Sequence, residues 1–232
     1  MAPTSQKLSA PDFTAARFHM VECQIRPNKV RNEKLLDIIG ALPREIFVPP
    51  AMAGIAYIDE DLQVAPGRYL LEPMILARLL EAADIKPTDR VLDIAPATGY
   101  STAVIASLAR EVVAVENDPS LKMLAVSNLG SVQIINADVQ STPLTEGCKA
   151  KAPYDVIFIN GGVEFVPDAL TAQLAEGGKL VAVLWQYGPA HAAHTGEARL
   201  YEKIRGQISH RPLFDANVKL LPGFSLPKKF AF

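Results

Sequence analysis

Five short apolar runs, most of them trailed by a segment of helical spacing, constrain this chain more than any other feature. They are Arg90–Ile94, Glu111–Val115, Val132–Ile135, Asp155–Ile159 and Lys179–Leu184. Near-continuous Val, Ile and Leu predict strands buried on both faces. Tyr100–Ala109, Leu121–Leu129 and Pro167–Leu174 carry the helical spacing between them, and Asp118-Pro119 supplies a cap and a first-turn residue for the second of these. Parallel strands cannot be joined by a tight turn, so the alternation demands crossover βαβ units. Arg199 to Gly223 alternates differently and shows no helical period, which predicts an antiparallel pair closing the sheet edge.

Ahead of this core the pattern is helical. Residues 1–14 are rich in Ser, Pro and Ala and read as a flexible lead-in. Ala15 to Leu42 has helical spacing interrupted by Pro27, with Leu35, Leu36, Ile38 and Ile39 forming an apolar stripe. A Pro-rich crossing, Leu42 to Pro50, leads into an irregular stretch up to Glu72. Pro73 suits a first helical turn, continued by Met74, Ile75, Ala77, Leu79 and Leu80. We therefore expect an N-terminal helical segment over 15–88 and an α/β core over 89–232. At 232 residues, 15–232 is expected to form one compact domain.

Charge and composition exclude several roles. Lys+Arg total 23 against 25 Asp+Glu, a net charge of −2, too balanced for a phosphate-neutralising surface, so no nucleic-acid partner is expected. No apolar run approaches about 18 residues, which predicts no membrane span. The opening MAPTSQKLSAPDF lacks the apolar region of a secretory signal, and two cysteines are too few for a disulfide framework, so a cytoplasmic location is expected. His191 and His194 stand three apart without an evident Cys or carboxylate partner, so no metal site is expected. His19 and His210 read as surface or helix-packing residues, and Trp185 as a core or rim residue.

The chemistry is expected at the carboxyl ends of the strands, where open parallel sheets bind ligands. The turn after the first strand, Asp93-Ile94-Ala95-Pro96-Ala97-Thr98-Gly99-Tyr100, consists mainly of small residues and opens a helix. Such a turn brings backbone close to a ligand and offers free N–H donors. Glu116 ends the second strand, where a carboxylate accepts both hydroxyls of a ribose. Asp138 is expected just past the third strand, facing an adenine amino group, and Asn160 past the fourth. Together these predict a nucleoside site. A dinucleotide would call for G-x-G-x-x-G, but the loop has only Gly99, which favours a methyl donor over a nicotinamide.

These residues resemble the protein-L-isoaspartate (D-aspartate) O-methyltransferase family. The resemblance runs from about Met20 to the C-terminus, through LPREIFVP (Leu42–Pro49), AYID (Ala56–Asp59), VLDIAPATGY (Val91–Tyr100), VAVE (Val113–Glu116) and APYDVIFIN (Ala152–Asn160). Val166 to Leu184, with VPDAL, QL and GGKLV, extends it. It implies a Rossmann-like, doubly wound, seven-stranded sheet with a reversed final strand pair. It also implies S-adenosylmethionine as donor and, as acceptor, the side-chain carboxylate of isoaspartyl residues in damaged proteins. On this match Asp93, Ala95, Ala97, Gly99 and Tyr100 belong to the donor loop. Glu116 falls on the ribose acid, Asp138 on the adenine side, and Asn160 and Gly161 on the pocket lining.

Two departures stand out. Ala95 and Ala97 replace the first two of three family glycines, and Pro96 between them removes an N–H. The family's Thr-x-Ser-x-Pro segment is here Tyr69-Leu70-Leu71-Glu72-Pro73, so Leu71 stands at the hydroxyl position. Glu72 adds a negative charge beside a site for a carboxylate, and Arg68 is expected to offset it by pairing with a carboxylate. Arg68, Tyr69 and Glu72 are the candidates for direct participation. A carboxylate acceptor, with an ordinary pKa of about 4, is already ionised and needs no strong base. The protein need only align the reactants and exclude water. Two alternatives stay open: an unknown acceptor on the same scaffold, or a non-catalytic nucleoside-binding module. A monomer is expected.

Overall fold

The structure, a computed structural model, describes residues 12–186 and 195–227. Asp12 accepts from the Thr14 and Ala15 amides and so caps α1 (Phe13–His19). Phe13 and Thr14 therefore belong to a helix rather than to the lead-in, and residues 1–11 lie outside the described residues. A π-helical turn (Met20–Ile25) and a 3₁₀ turn (Arg26–Asn28) follow, ending at Lys29 in the left-handed region. Asn32 caps α2 (Glu33–Ala41), which buries Leu35, Leu36 and Ile39. The Pro-rich crossing holds a 3₁₀ turn (Arg44–Phe47), and the stretch read as irregular holds another (Pro50–Ile55) and a small antiparallel hairpin. Its strands are β1 (Leu62–Ala65) and β2 (Arg68–Leu70), turning through Pro66-Gly67 with Gly67 at φ +66°. α3 (Pro73–Ala83) starts on Pro73 as expected.

Seven strands make the main sheet among the described residues: β3 (Arg90–Ile94), β4 (Glu111–Val115), β5 (Ala137–Gln140), β6 (Tyr154–Val163), β7 (Leu174–Gln186), β8 (Thr195–Ile204) and β9 (Gln207–Asp215). Their spatial order is β5-β4-β3-β6-β7-β8-β9. The first five are mutually parallel, β8 is antiparallel to β7, and β9 pairs antiparallel with β8 at the edge. This is the doubly wound α/β sheet with a turned-back final pair. α4 (Tyr100–Leu108) and α5 (Pro119–Ser131) carry the first two crossovers, and α6 (Asp168–Thr171) is a single turn before β7.

The period-2 alternation of strands sorts the core into two layers. Val91, Val112, Ala114, Val156, Phe158, Val181 and Val183 pack with residues of α2, α3, α4 and α5 on one face. Leu92, Ile94, Val113, Val115, Ile157, Ile159, Leu180 and Ala182 pack with Leu144, Cys148, Leu170, Leu221 and Phe224 on the other. Met20, Ile25 and Phe47 join the first layer, so the helical segment and the sheet share one core.

The third strand sits later than its apolar run. α5 extends to Ser131, and Val132 to Ile135 terminate it: Gln133 takes φ +60° and the Ile134 amide bonds the Leu129 carbonyl. Ile135 is left 96% exposed, and pairing with β4 begins at Ala137. A four-residue apolar run has no way of announcing whether it caps a helix or fills a sheet. Pro167 to Leu174 is helical only over Asp168–Thr171, and Leu174 already belongs to β7. No helix among the described residues is long and apolar enough to cross a membrane.

Candidate functional site

β3 delivers Asp93 to the middle of the parallel sheet, fully buried. The Ser101 and Thr102 hydroxyls, from the first turn of α4, donate to its Oδ2 at 2.8 and 2.7 Å. Its Oδ1 has no partner. Burial raises the carboxyl to about 7, against the two hydroxyls that favour the ionised form, and the nearby Glu116 charge adds to the rise. A buried acceptor left open is costly and marks a place for a ligand donor.

The loop after β3 alternates left-handed positions: Ala95 at φ +60°, Ala97 at +53° and Gly99 at +97°. An alanine in that region costs about 1–2 kcal/mol, which glycine avoids. The backbone path of a glycine loop is thus kept, with two methyl groups buried inside it. The loop is pinned by Ala95 N–H on the Val115 carbonyl, by Gly99 N–H on the Pro96 carbonyl, and by the Asn160 amide donating to the Ala95 carbonyl at 3.1 Å. Gly99 is the N-cap of α4 without a side-chain cap, so the helix start keeps free N–H donors. A Cβ at Gly99 would also press on Ala125 of α5 at 3.3 Å. Tyr100 turns instead into the N-terminal segment. Its ring packs edge-on against Phe47 and beneath the Arg44 guanidinium, 4.7 Å away, and its burial raises the phenol's pKa.

Glu116 follows β4 and is fully buried at the same end of the sheet. Arg68 of β2 lies against it, with Nε 3.2 and 3.1 Å from the two carboxylate oxygens and Nη2 3.1 Å from Oε1. The same Nη2 donates to Asn117 Oδ1 at 2.7 Å, and Nη1 to the Gly67 carbonyl. The carboxylate that Arg68 pairs with is thus Glu116, across 48 residues of sequence, rather than one in the acceptor segment.

Asp138 departs from expectation. It lies within β5, level with Val113, and its carboxylate is engaged by Lys151 and by Gln140 Nε2. The Lys151 ammonium holds it below the usual carboxylate range. The residue that leaves the carboxyl end of this strand is Ser141, whose hydroxyl donates to the Glu116 carbonyl at 3.2 Å. The misplacement follows directly from the shift of the strand. Asn160 lies inside the long β6, not beyond it, and Gly161 is covered by Leu221, which an added Cβ would meet at 2.6 Å.

On the acceptor side Leu71 is buried, and its carbonyl accepts from Arg44 Nη2 at 2.7 Å. Arg44 is itself fully buried, bonds the Ala56 carbonyl through Nε, and leaves Nη1 unpartnered. Sequence reasoning assigned it no role; the only signal was a pair of charged residues, Arg44 and Glu45, inside the otherwise apolar LPREIFVP run. Tyr69 is half-buried in β2. Glu72 is half-buried ahead of α3, and its amide bonds Asp61 Oδ1. Burial, followed by the charges of Asp59, Asp61 and Glu60, raises its carboxyl to about 7. Residues 219–224 close this side, where the Lys219 amide bonds Asp61, Pro222 abuts Gly67 and Trp185 Nε1 donates to the Val218 carbonyl. His19 and His210 are exposed, while His191 and His194 lie outside the described residues.

The rim thus unites two buried carboxylates, one with an open oxygen, a left-handed loop and an uncapped helix start, which suits a nucleoside with a ribose diol. A family model described as "Protein-L-isoaspartate(D-aspartate) O-methyltransferase (PCMT)" matches residues 16–209. The protein-L-isoaspartate O-methyltransferase of Koribacter versatilis (strain Ellin345) is 37% identical over 176 residues, 75% of this chain and 79% of that protein. That of Methylorubrum extorquens (strain PA1) is 33% identical over 215 residues, 91% of this chain and 93% of the other. A solved protein-L-isoaspartate O-methyltransferase superposes with a TM-score of 0.75 at 23% identity, over 90% of this chain and 66% of that one. A putative one from Plasmodium falciparum, in complex with S-adenosyl-L-homocysteine, gives 0.73 at 18% identity over 91% and 99%. At these identities the two structures speak for the fold alone.

Proposed function

The chain belongs to the protein-L-isoaspartate (D-aspartate) O-methyltransferase family, and from that membership we propose that it methylates the side-chain carboxylate of isoaspartyl residues in damaged proteins, with S-adenosylmethionine as donor. Such a methyl ester is the first step of a protein-repair chemistry. The observation that carries the donor reading is the open Oδ1 of buried Asp93 beside Glu116.

Glu116 would hold the ribose hydroxyls, Asp93 Oδ1 would take a donor N–H or O–H, and the loop from Ala95 to Gly99 with the start of α4 would line the remainder. Tyr100 supports that loop from behind. Asn160 acts by holding the Ala95 carbonyl, and Gly161 by letting Leu221 approach. Ser141, which leaves the carboxyl end of β5, would face the adenine edge in place of Asp138. When bound, the donor supplies an electrophilic methyl group on a sulfonium. The chain aligns the acceptor carboxylate with it, and excludes water through the buried Leu71 and residues 219–224. No base is required, because the acceptor is ionised near neutral pH. In this reading residues 15–88 furnish the acceptor side and 89–232 the donor side of one domain. We further propose a cytoplasmic monomer, in keeping with free Cys23 and Cys148.

Calorimetry with S-adenosylhomocysteine, with Glu116→Ala as control, tests donor binding; the wild type should bind and the variant should not. An isoaspartyl peptide should be methylated and its aspartyl twin should not. Donor binding without peptide turnover would instead favour a different acceptor. Leu71 at the hydroxyl position and Glu72 among Asp59, Glu60 and Asp61 are the observations on that side.

A further inference from the structure

Glu116 cannot serve Arg68 and a ribose at once. A carboxylate offers about four lone-pair positions. In this structure the single Arg68 Nε–H is shared between both oxygens, Nη2 donates to Oε1, and the Asp118 amide also donates to Oε1 at 3.1 Å, so three donors leave at most one position free. Glu116 is fully buried and Arg68 only 5% exposed, so no open face remains beside the pair. A diol that takes two positions on this carboxylate must remove the guanidinium. Arg68 hangs from the two-stranded hairpin β1–β2, directly after Gly67 and directly before Tyr69-Leu70-Leu71-Glu72, the acceptor-side segment. One side chain therefore links the donor acid to the acceptor segment.

We propose that Arg68 is an internal competitor for the ribose position of Glu116, so that donor binding displaces its guanidinium and loosens the β1–β2 hairpin that leads into the acceptor segment. This rests on the donor reading of Glu116. Arg68 sets donor affinity and ties the state of the acceptor side to donor occupancy. The displaced guanidinium turns to water, so its removal by substitution costs the bound state nothing.

The test is calorimetric titration of S-adenosylhomocysteine into the wild type, Arg68→Met and Arg68→Lys. Methionine keeps the apolar stem without the charge, and lysine keeps the charge without the fork. Arg68→Met should bind at least tenfold tighter than the wild type, and Arg68→Lys should fall between them. Hydrogen exchange in the wild type should speed up across 62–70 when S-adenosylhomocysteine saturates the protein. Equal or weaker binding by a folded Arg68→Met protein overturns this inference alone. Absence of binding by both proteins overturns the donor reading and this inference with it. Should Arg68→Met fail to fold, the wild-type exchange decides, and unchanged rates over 62–70 overturn the proposal.

Discussion

Replacing Asp93 with asparagine tests the physics of the donor site without any ligand. Asp93 is fully buried with one open oxygen, and its carboxyl is raised from an ordinary 3.8 to about 7. In the unfolded chain it ionises near pH 4, whereas in the folded protein it holds its proton until about pH 7. Between those values the folded state binds more protons, so stability falls as pH rises. At about 1.36 kcal/mol per pH unit, the interval from 3.8 to about 7 amounts to about 4 kcal/mol, all of it lost above pH 7. Asparagine is an isostere without this ionisation, and its amide oxygen can still accept from Ser101 and Thr102. Urea unfolding at pH 5 and pH 8 isolates the effect. The advantage of the Asp93→Asn protein over wild type should grow by about 3 kcal/mol across that range, which shifts the relative urea midpoint by roughly 1 M or more. The same variant should bind S-adenosylhomocysteine more weakly, because the open acceptor is gone. Identical pH dependence in the two proteins would refute the claim that burial of this carboxylate works against the fold.

Leu71→Ser should raise isoaspartyl methylation by restoring a hydroxyl at the family position, while lowering stability by about 2–4 kcal/mol through loss of a buried leucine, read from a peptide assay and a urea melt. Glu72→Gln should lower the KM for an isoaspartyl peptide at pH 8 and change it little at pH 5.5. Its carboxyl, raised to about 7, carries its charge only above that pH, and a KM shift that is the same at both values would contradict this. Ala97→Gly should leave the melting temperature within a few degrees. Relief of about 1 kcal/mol of left-handed strain offsets a lost methyl of about 0.8 kcal/mol and extra unfolded-state freedom. Its donor affinity should rise, and an unchanged Kd would show that the methyl does not crowd the site.

Much of the architecture was legible in local pattern. Apolar runs at 90–94, 111–115 and 179–184 are strands or parts of strands, because a segment buried on both faces has to be apolar throughout. Pro73 and Asp118-Pro119 mark helix starts through single-residue chemistry that tertiary structure does not override. Asp93 and Glu116 stand at the expected end of the sheet, since a strand's last residues are set by its own length. What failed was register. The VQII run ends α5 instead of forming a strand, because a helix terminus must satisfy its free carbonyls with the residues that follow it. Asp138 therefore moved below the rim and onto Lys151.

The pairing of Arg68 with Glu116, and the anchoring of Leu71 by Arg44, belong to another order of information. Nothing within a few residues of Arg68 names a partner 48 positions away; only the hairpin's seat against the end of β4 brings them together. Sequence determined which groups are present and which strands carry them, because propensity and periodicity act over short spans of chain. The tertiary structure alone decided which charges neutralise one another, because that depends on distance in space and on burial from water.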